Sequence, residues 1–192
     1  MCFTLNSQPC SIVAVTRDRG VTRLRHPMKT VVATGVTAGC GLAAIRQLIS
    51  RNDGPYNVIV GSRRPESPEM EASAKALLSC RRSSKTSITY LPLDLLSFQS
   101  VEHFATLVRT RLGTETGIDI LLHCGGMLST EHTILTLPNG KQAEQTVVVN
   151  SLSPALLTRH LLDCLAPAAR VTIVSSYMHT KAPQSKRGIK IF

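Results

Sequence analysis

The amino-acid sequence predicts an α/β protein built around one doubly wound parallel sheet of about five strands. Three observations support this fold class. Short runs of β-branched and apolar residues alternate with segments whose apolar residues recur at helical spacing, and turn-forming residues separate them. A glycine-rich segment joins the first run to the first helical segment. Strands that alternate with helices pair in parallel through right-handed crossovers, so helices should cover both faces of the sheet.

The predicted strands are short apolar runs bounded by turn residues, as expected for strands buried on both faces. They cover residues 30–34, 56–61, 87–93, 118–122 and 170–176. The sequence shows no further strand after the fifth, so we expect the outer edge of that strand to be exposed and to favour aggregation.

The predicted helices lie between these strands. They cover about 41–51, about 67–80, the segment from the N-cap Ser97 to Leu112, and about 143–165. Pro68 lies near the first turn of the second helix, where proline is tolerated. Pro154 lies inside the last helix, which it should kink or deprive of one hydrogen bond.

The clearest functional signal is the segment TGVTAGCG at 34–41, between the first strand and the first helix. Glycines there allow a tight turn and let the backbone approach a pyrophosphate. The helix N-terminus offers free N–H groups and a favourable dipole. The segment therefore indicates a Rossmann-type nucleotide site, and its alternative is a turn whose glycines serve only packing. The predicted contacts come from Gly35, Thr37, Gly39, Cys40 and Gly41.

The end of the second strand favours NADP(H) over NAD(H). Sites for NAD usually place an acidic residue there to bind the ribose 2′-hydroxyl. Here Arg63 and Arg64 follow the strand, and the first acid is Glu66. A guanidinium can bind a 2′-phosphate through two hydrogen bonds. The alternative is a pair of solvated arginines at the start of a loop.

Five short motifs are spread over about residues 29–176. They are TGVTAGCG, Leu93-Asp94-Leu95, His123-Cys124-Gly125-Gly126, Val149-Asn150 and Val174-Ser175-Ser176. In these motifs the chain resembles the short-chain dehydrogenase/reductases, which usually have Asn-Asn-Ala-Gly in place of the third motif. The run 144–165 is most similar to the retinol dehydrogenase and protochlorophyllide reductase branch. The resemblance implies an NADP(H)-dependent oxidoreductase that acts on a small carbonyl or alcohol substrate.

The resemblance also implies roles for individual residues. Ser176 would orient and polarise the substrate oxygen, and Asn150 would hold the helix kink and a water in a proton relay. Asp94, in a motif with Leu95, would accept a hydrogen bond from the adenine amino group. The backbone around Cys124 and Gly125 would flank the adenine ribose. Members of this family often dimerise, so the resemblance also allows a homodimer.

The family's catalytic tyrosine and lysine lie well downstream of the serine, on the next helix. The literal match here, Tyr177 and Lys181, directly follows Ser176. Neighbouring side chains at a strand end point apart, so we expect the catalytic pair to be missing. We therefore expect a fold that is incomplete at its C-terminus, with little turnover. The alternative function is that of a truncated or degenerate nucleotide-binding protein without catalysis.

The net charge of +10 is concentrated near the two ends. We interpret residues 1–27, with four arginines and one aspartate, as a disordered extension. Residues 177–192, with four basic residues and no acid, form a basic tail, and 28–176 form the NADP(H)-binding domain. Basic tails can bind polyanions, and a basic-tailed interaction protein is the third hypothesis. Aromatic residues make up only 4%, so we expect no nucleic-acid partner.

The six cysteines include no CxxC pair, and no ligand spacing for a metal is found in the sequence. Reduced thiols indicate an intracellular, cytoplasmic protein. The basic, acid-poor N-terminal segment leaves an organelle transit peptide as the alternative. The sequence has no apolar stretch of about 18 residues, the length that a transmembrane helix needs.

Overall fold

A computed structural model of the chain describes residues 12–16, 28–51, 54–114 and 117–176. The strands are β1 (Ile12–Thr16), β2 (Lys29–Thr34), β3 (Tyr56–Ser62), β4 (Ser87–Pro92), β5 (Ile118–His123), β6 (Ile134–Thr136), β7 (Gln142–Glu144) and β8 (Leu165–Val174). Strands β6 and β7 pair as a small separate hairpin, and the other strands form one sheet.

The strand order confirms the predicted doubly wound sheet. Strands β4, β3, β2, β5 and β8 lie side by side in this order and pair in parallel. The chain moves outward from β2 through β3 to β4, and then returns to β5 on the other side of β2. The strand order therefore reverses between β2 and β5. In open α/β sheets, ligands bind at this point, outside the carboxyl ends of the strands.

The helices begin close to their predicted starts. Ser67 and Ser97 cap the second and third helices, and each hydroxyl accepts a backbone hydrogen bond from the residue three positions later. Among the described helices, none has the length and apolarity needed to cross a membrane. The α-helices are α1 (Gly39–Ile49), α2 (Pro68–Ser79), α3 (Phe98–Leu112), α4 (Gln145–Val147) and α5 (Ser153–Leu161).

The core lies on both faces of the sheet, which explains the uninterrupted apolar sequence of β2. Val31 faces the cluster that contains Ile45 of α1. Its neighbour Val32 faces the opposite cluster, with Phe104 of α3 and Leu157 of α5. Successive residues of a strand point to opposite faces, and a strand covered on both faces therefore needs apolar residues at every position.

The predicted helix over 143–165 is present as one continuous helical run from Gln145 to Cys164, but it is not α-helical throughout. Its first residues belong to β7 and α4, a π-helical turn follows at Val148–Leu152, then α5, and a 3₁₀ turn at Leu162–Cys164. The π-helical turn ends at Leu152, two residues before Pro154, which lacks the N–H that an α-helical hydrogen bond needs. The helix thus departs from the α-helical pattern close to Pro154, in agreement with the predicted loss of one hydrogen bond.

The expectation of an exposed outer edge at the fifth strand is wrong. That strand, predicted at 170–176, is β8, and β1 pairs with it in antiparallel register, from Ile12 opposite Val174 to Thr16 opposite Arg170. The interpretation of 1–27 as disordered therefore does not hold for these five residues. The rest of this segment lies outside the described residues.

Candidate functional site

The candidate site lies where the strand order reverses, beyond the carboxyl ends of β2 and β5. The glycine segment follows β2, and the His123-Cys124-Gly125-Gly126 loop begins at the end of β5. The two are tied together by hydrogen bonds. The Cys124 N–H donates to the Thr34 carbonyl over 3.0 Å, and the Gly125 N–H donates to the Thr34 hydroxyl over 3.4 Å. Thr34, which sequence reasoning did not single out, is itself buried.

The three glycines of the first loop serve different purposes. A Cβ at Gly35 would lie 2.2 Å from the Gly125 nitrogen, and a Cβ at Gly41 would lie 2.4 Å from the Gly35 carbonyl oxygen. Both positions need glycine for close packing of the backbone. Gly39 has a φ of 58°, which favours glycine, but a Cβ there would meet no atom within 4 Å. Gly39 therefore opens onto unfilled space.

The start of α1 fits the binding of a phosphate. Gly39 is its first residue, and the N-cap Ala38 makes no side-chain capping bond. The first turn contains no acidic residue. The first N–H groups of a helix have no intrahelical partner, and they carry the positive end of the helix dipole. Cys40 is exposed, and Thr37 before it is half-buried. The donors and the open space at Gly39 together suit a pyrophosphate.

Arg63 and Arg64 directly follow β3, the neighbour of β2, and both are exposed. The Arg64 N–H donates to the hydroxyl of Ser62 over 3.3 Å, which shapes the start of the loop. A backbone hydrogen bond and a hydrogen bond with the Ser67 side chain lower the pKa of Glu69, and the positive charge of Arg64 adds to this effect. The arginines are thus at the carboxyl edge of the sheet, next to the glycine loop.

Asp94 and Leu95 lie just after β4. One carboxylate oxygen of Asp94 accepts a hydrogen bond from the Leu96 N–H over 2.9 Å, and the Asp94 N–H donates to Ser100. The Leu95 carbonyl accepts a hydrogen bond from the Ser153 hydroxyl over 2.6 Å. The Leu95 side chain approaches the loop after β5, because a Cβ at Gly125 would lie 2.8 Å from it. These contacts hold the loop after β4 against the same crevice.

Asn150 lies in the π-helical turn, and its amide bonds to the backbone of Met127. The Met127 N–H donates to Asn150 Oδ1, and Asn150 Nδ2 donates to the Met127 carbonyl, each over 2.8 Å. Sequence reasoning did not identify Met127 as a partner, since only the fold brings these segments together. Asn150 thus fixes the chain that follows the His123-Cys124-Gly125-Gly126 loop.

Ser176 is exposed and lies two residues beyond the end of β8. The parallel register sets Ile173 opposite His123, so Ser176 follows β8 at the level where Gly126 follows β5. The structure therefore brings Ser176 to the same edge as the Asn150–Met127 pair. Tyr177 and Lys181 lie outside the described residues.

His123 is buried, and the sequence indicated only that it departs from a motif. The Thr158 hydroxyl donates to the Pro154 carbonyl over 2.8 Å, so its oxygen accepts from His123 Nε2, 2.9 Å away. This contact favours the neutral tautomer with the proton on Nε2. Nδ1 has no hydrogen-bond partner among the described residues. Burial lowers the pKa of His123 from 6.5 to about 4.

Comparisons of the sequence with known proteins point to one family. The family model for short chain dehydrogenases matches residues 29–186. The chain is 33% identical over 152 residues to a short-chain dehydrogenase/reductase of Pestalotiopsis microspora, covering 77% of this chain and 48% of that protein. It is 32% identical over 156 residues to dehydrogenase/reductase SDR family member 13 of Homo sapiens, covering 80% and 37%. The chain therefore spans about half or less of the length of these relatives.

Solved structures show the same fold. One is the NADPH-bound carbonyl reductase from chicken fatty liver, with a TM-score of 0.53 and 21% identity over 71% of this chain and 48% of that chain. Another is the alcohol dehydrogenase of the archaeon Thermococcus sibiricus complexed with 5-hydroxy-NADP. Its TM-score is 0.51, with 26% identity over 71% of this chain and 53% of that chain.

Proposed function

The chain belongs to the short-chain dehydrogenase family, and we propose that it is an oxidoreductase that uses NADP(H) and a small carbonyl or alcohol substrate. One observation carries the proposal. Gly39, with its positive φ, opens onto unfilled space at the uncapped start of α1, where the strand order reverses. A nucleotide pyrophosphate suits this position in both shape and charge.

In this proposal the chain's own groups bind the cofactor in three places. The N–H groups of the first turn of α1, around Cys40 and Gly41, bind the pyrophosphate, and Gly35 and Thr37 shape the loop. Asp94, with Leu95 beside it, accepts a hydrogen bond from the adenine amino group, and the backbone at Cys124 and Gly125 flanks the adenine ribose. When bound, NADP(H) supplies or accepts the hydride.

The preference for NADP(H) over NAD(H) is assigned to Arg63 and Arg64. Both are exposed at the carboxyl edge, and the loop that they open contains no acid before Glu66. A guanidinium can bind a 2′-phosphate bidentately. The alcohol dehydrogenase of Thermococcus sibiricus, 26% identical to this chain, was solved with 5-hydroxy-NADP, which agrees with this assignment.

Ser176 and Asn150 are proposed to serve the substrate side. The hydroxyl of Ser176 donates a hydrogen bond to the substrate oxygen and so orients and polarises it. Asn150 acts as a positioning residue, because its amide holds the Met127 backbone on the neighbouring loop. The adjacency of Tyr177 to Ser176 favours a second candidate, a nucleotide-binding protein without turnover.

The test compares the full chain with two charge-matched double variants. Arg63→Ala with Arg64→Ala removes the proposed 2′-phosphate contacts. Arg81→Ala with Arg82→Ala removes the same charge from exposed residues beyond α2. Losing a charge-assisted hydrogen bond costs about 1.5–3 kcal/mol, so NADPH affinity should fall about tenfold to a hundredfold in the first variant. Its NADH affinity should change little, and the second variant should resemble the wild type.

Nucleotide affinity is measured by fluorescence titration at one salt concentration, and NADPH oxidation is assayed with a panel of aldehydes and ketones. An equal loss of NADPH affinity in both double variants would reveal a general charge effect and refute the assignment. Tight NADPH binding without reduction of any panel member would favour the second candidate.

A further inference from the structure

We propose that Cys40 and Cys124 are a redox modification site: they form a reversible intrachain disulfide that blocks nucleotide binding. The two sulfur atoms lie 3.7 Å apart, although 84 positions separate the residues in the sequence. Cys40 is on the first turn of α1, and Cys124 directly follows β5. The effect on binding rests on the proposed function, whereas formation of the disulfide does not.

The fold holds both cysteines in contact from their backbones. The Cys124 N–H donates to the Thr34 carbonyl, which fixes the loop after β5 beside the glycine loop. A Cβ at Gly41 would lie 3.0 Å from the Cys124 sulfur, so that sulfur already rests against the start of α1. A disulfide needs a separation of about 2.05 Å. The two sulfur atoms must therefore come closer by less than about 2 Å, which rotation of the two side chains can supply while the backbone stays in place.

Accessibility suggests an order for the chemistry. Cys40 is exposed and Cys124 is half-buried. The Cys40 thiolate attacks a low-molecular-weight disulfide such as oxidised glutathione, which forms a mixed disulfide and releases one thiol. The Cys124 thiolate then displaces the second thiol and closes the Cys40–Cys124 bond. The two cysteine sulfurs lose two electrons in total, the reagent disulfide gains them, and the two cysteine protons end on the two released thiols.

The position of this bond explains its expected effect. Cys40 follows Gly39, whose Cβ direction is open, and its N–H belongs to the turn proposed to bind the pyrophosphate. Cys124 precedes Gly125, at the proposed ribose contact. A bond between them lays two linked sulfurs beside the nucleotide path, against the first turn of α1. Bound nucleotide should in turn shield Cys40 from the reagent.

The first part of the test maps the bond. The full-length protein is equilibrated with oxidised glutathione, alkylated and digested with trypsin without reduction. Each cysteine falls in a tryptic peptide of its own, residues 30–46 and residues 112–141. We expect these two peptides to be linked, with the loss of two hydrogen atoms. A glutathione adduct that persists on Cys40 without the link, or links only to other cysteines, would overturn the proposal.

The second part measures NADPH affinity before and after oxidation, and again after dithiothreitol. Blocking the first-turn donors should weaken binding of the wild type at least about tenfold, and dithiothreitol should restore it. Cys40→Ser, which lacks the attacking thiol, should bind equally before and after oxidation. Cys124→Ser, which lacks the thiol that closes the bond, should instead keep glutathione on Cys40 in the peptide map. Cys80→Ser, which changes a half-buried cysteine at the end of α2, should lose affinity on oxidation as the wild type does.

The outcomes separate the two proposals. A mapped link with unchanged NADPH affinity would overturn the control of binding. If the reduced protein binds no nucleotide at all, the proposed function fails, and the peptide map still decides whether the disulfide forms.

Discussion

Stability should depend on pH through His123, and the size of this effect follows from its burial. The side chain is only 1% exposed, and burial lowers its pKa to about 4 against the ordinary 6.5. At a pH between these two pKa values, His123 is protonated in the unfolded chain and neutral in the folded chain. The contribution is therefore fully present above pH 6.5 and is lost as the pH falls toward 4.

The perturbation is His123→Asn, which keeps a polar side chain but removes the titrating group. The difference between the two pKa values corresponds to about 3 kcal/mol in full, and to about 2 kcal/mol between pH 7 and pH 5. We expect the wild type to lose this amount over that interval in excess of the loss shown by the variant. His103→Asn, which removes an exposed histidine of α3, should follow the wild-type profile.

The assay is urea unfolding, followed by circular dichroism, at half-unit steps from pH 7.5 to pH 5. Carboxylates also titrate toward the lower end, so the informative quantity is the difference between wild type and variant at each pH. A difference that stays constant over the whole range would refute the argument. So would a variant whose stability falls more steeply than that of the wild type.

Two further predictions concern the glycine loop and the sheet edge. Gly35→Ala should disrupt the packing of the glycine loop and strongly lower the free energy of unfolding, because its Cβ would lie 2.2 Å from the Gly125 nitrogen. Gly39→Ala should lower the free energy of unfolding by only about 1–2 kcal/mol, because only its positive φ disfavours alanine. Urea unfolding of both variants checks this, and equal costs would contradict it. Deleting residues 1–16 should expose the backbone of β8 and cause aggregation, whereas deleting residues 1–11 keeps β1. Light scattering against concentration compares these two proteins, and equal behaviour would mean that β1 does not protect the edge.

The parts of the fold that local pattern determines could be predicted from the sequence. The apolar run of β2 is buried on both faces, and the caps Ser67 and Ser97 stand at the starts of their helices. These features depend on residues within a few positions of each other. The glycine motif likewise predicted the tight turn between β2 and α1, because the turn, the strand and the helix are contiguous.

The parts that depend on distant segments could not be predicted in this way. The apolar pattern of 143–165 fits one helix, but the π-helical turn depends on Pro154 and on contacts of Asn150 and Ser153 with other loops. The run Ile12–Thr16 is rich in β-branched residues and was open to interpretation as a strand. Its pairing with β8 still required a partner from the far end of the domain.

The loop after β5 links both helical layers to the site. Successive residues of a strand point to opposite faces, and this alternation continues at the end of β5. His123 contacts Thr158 on α5, on one side, and Cys124 contacts Cys40 on α1, on the other. These two residues stand where other short-chain dehydrogenases usually have two asparagines. An imidazole buried against one layer and a thiol against the other therefore make this loop sensitive to both pH and oxidation, which a pair of asparagine amides would not do.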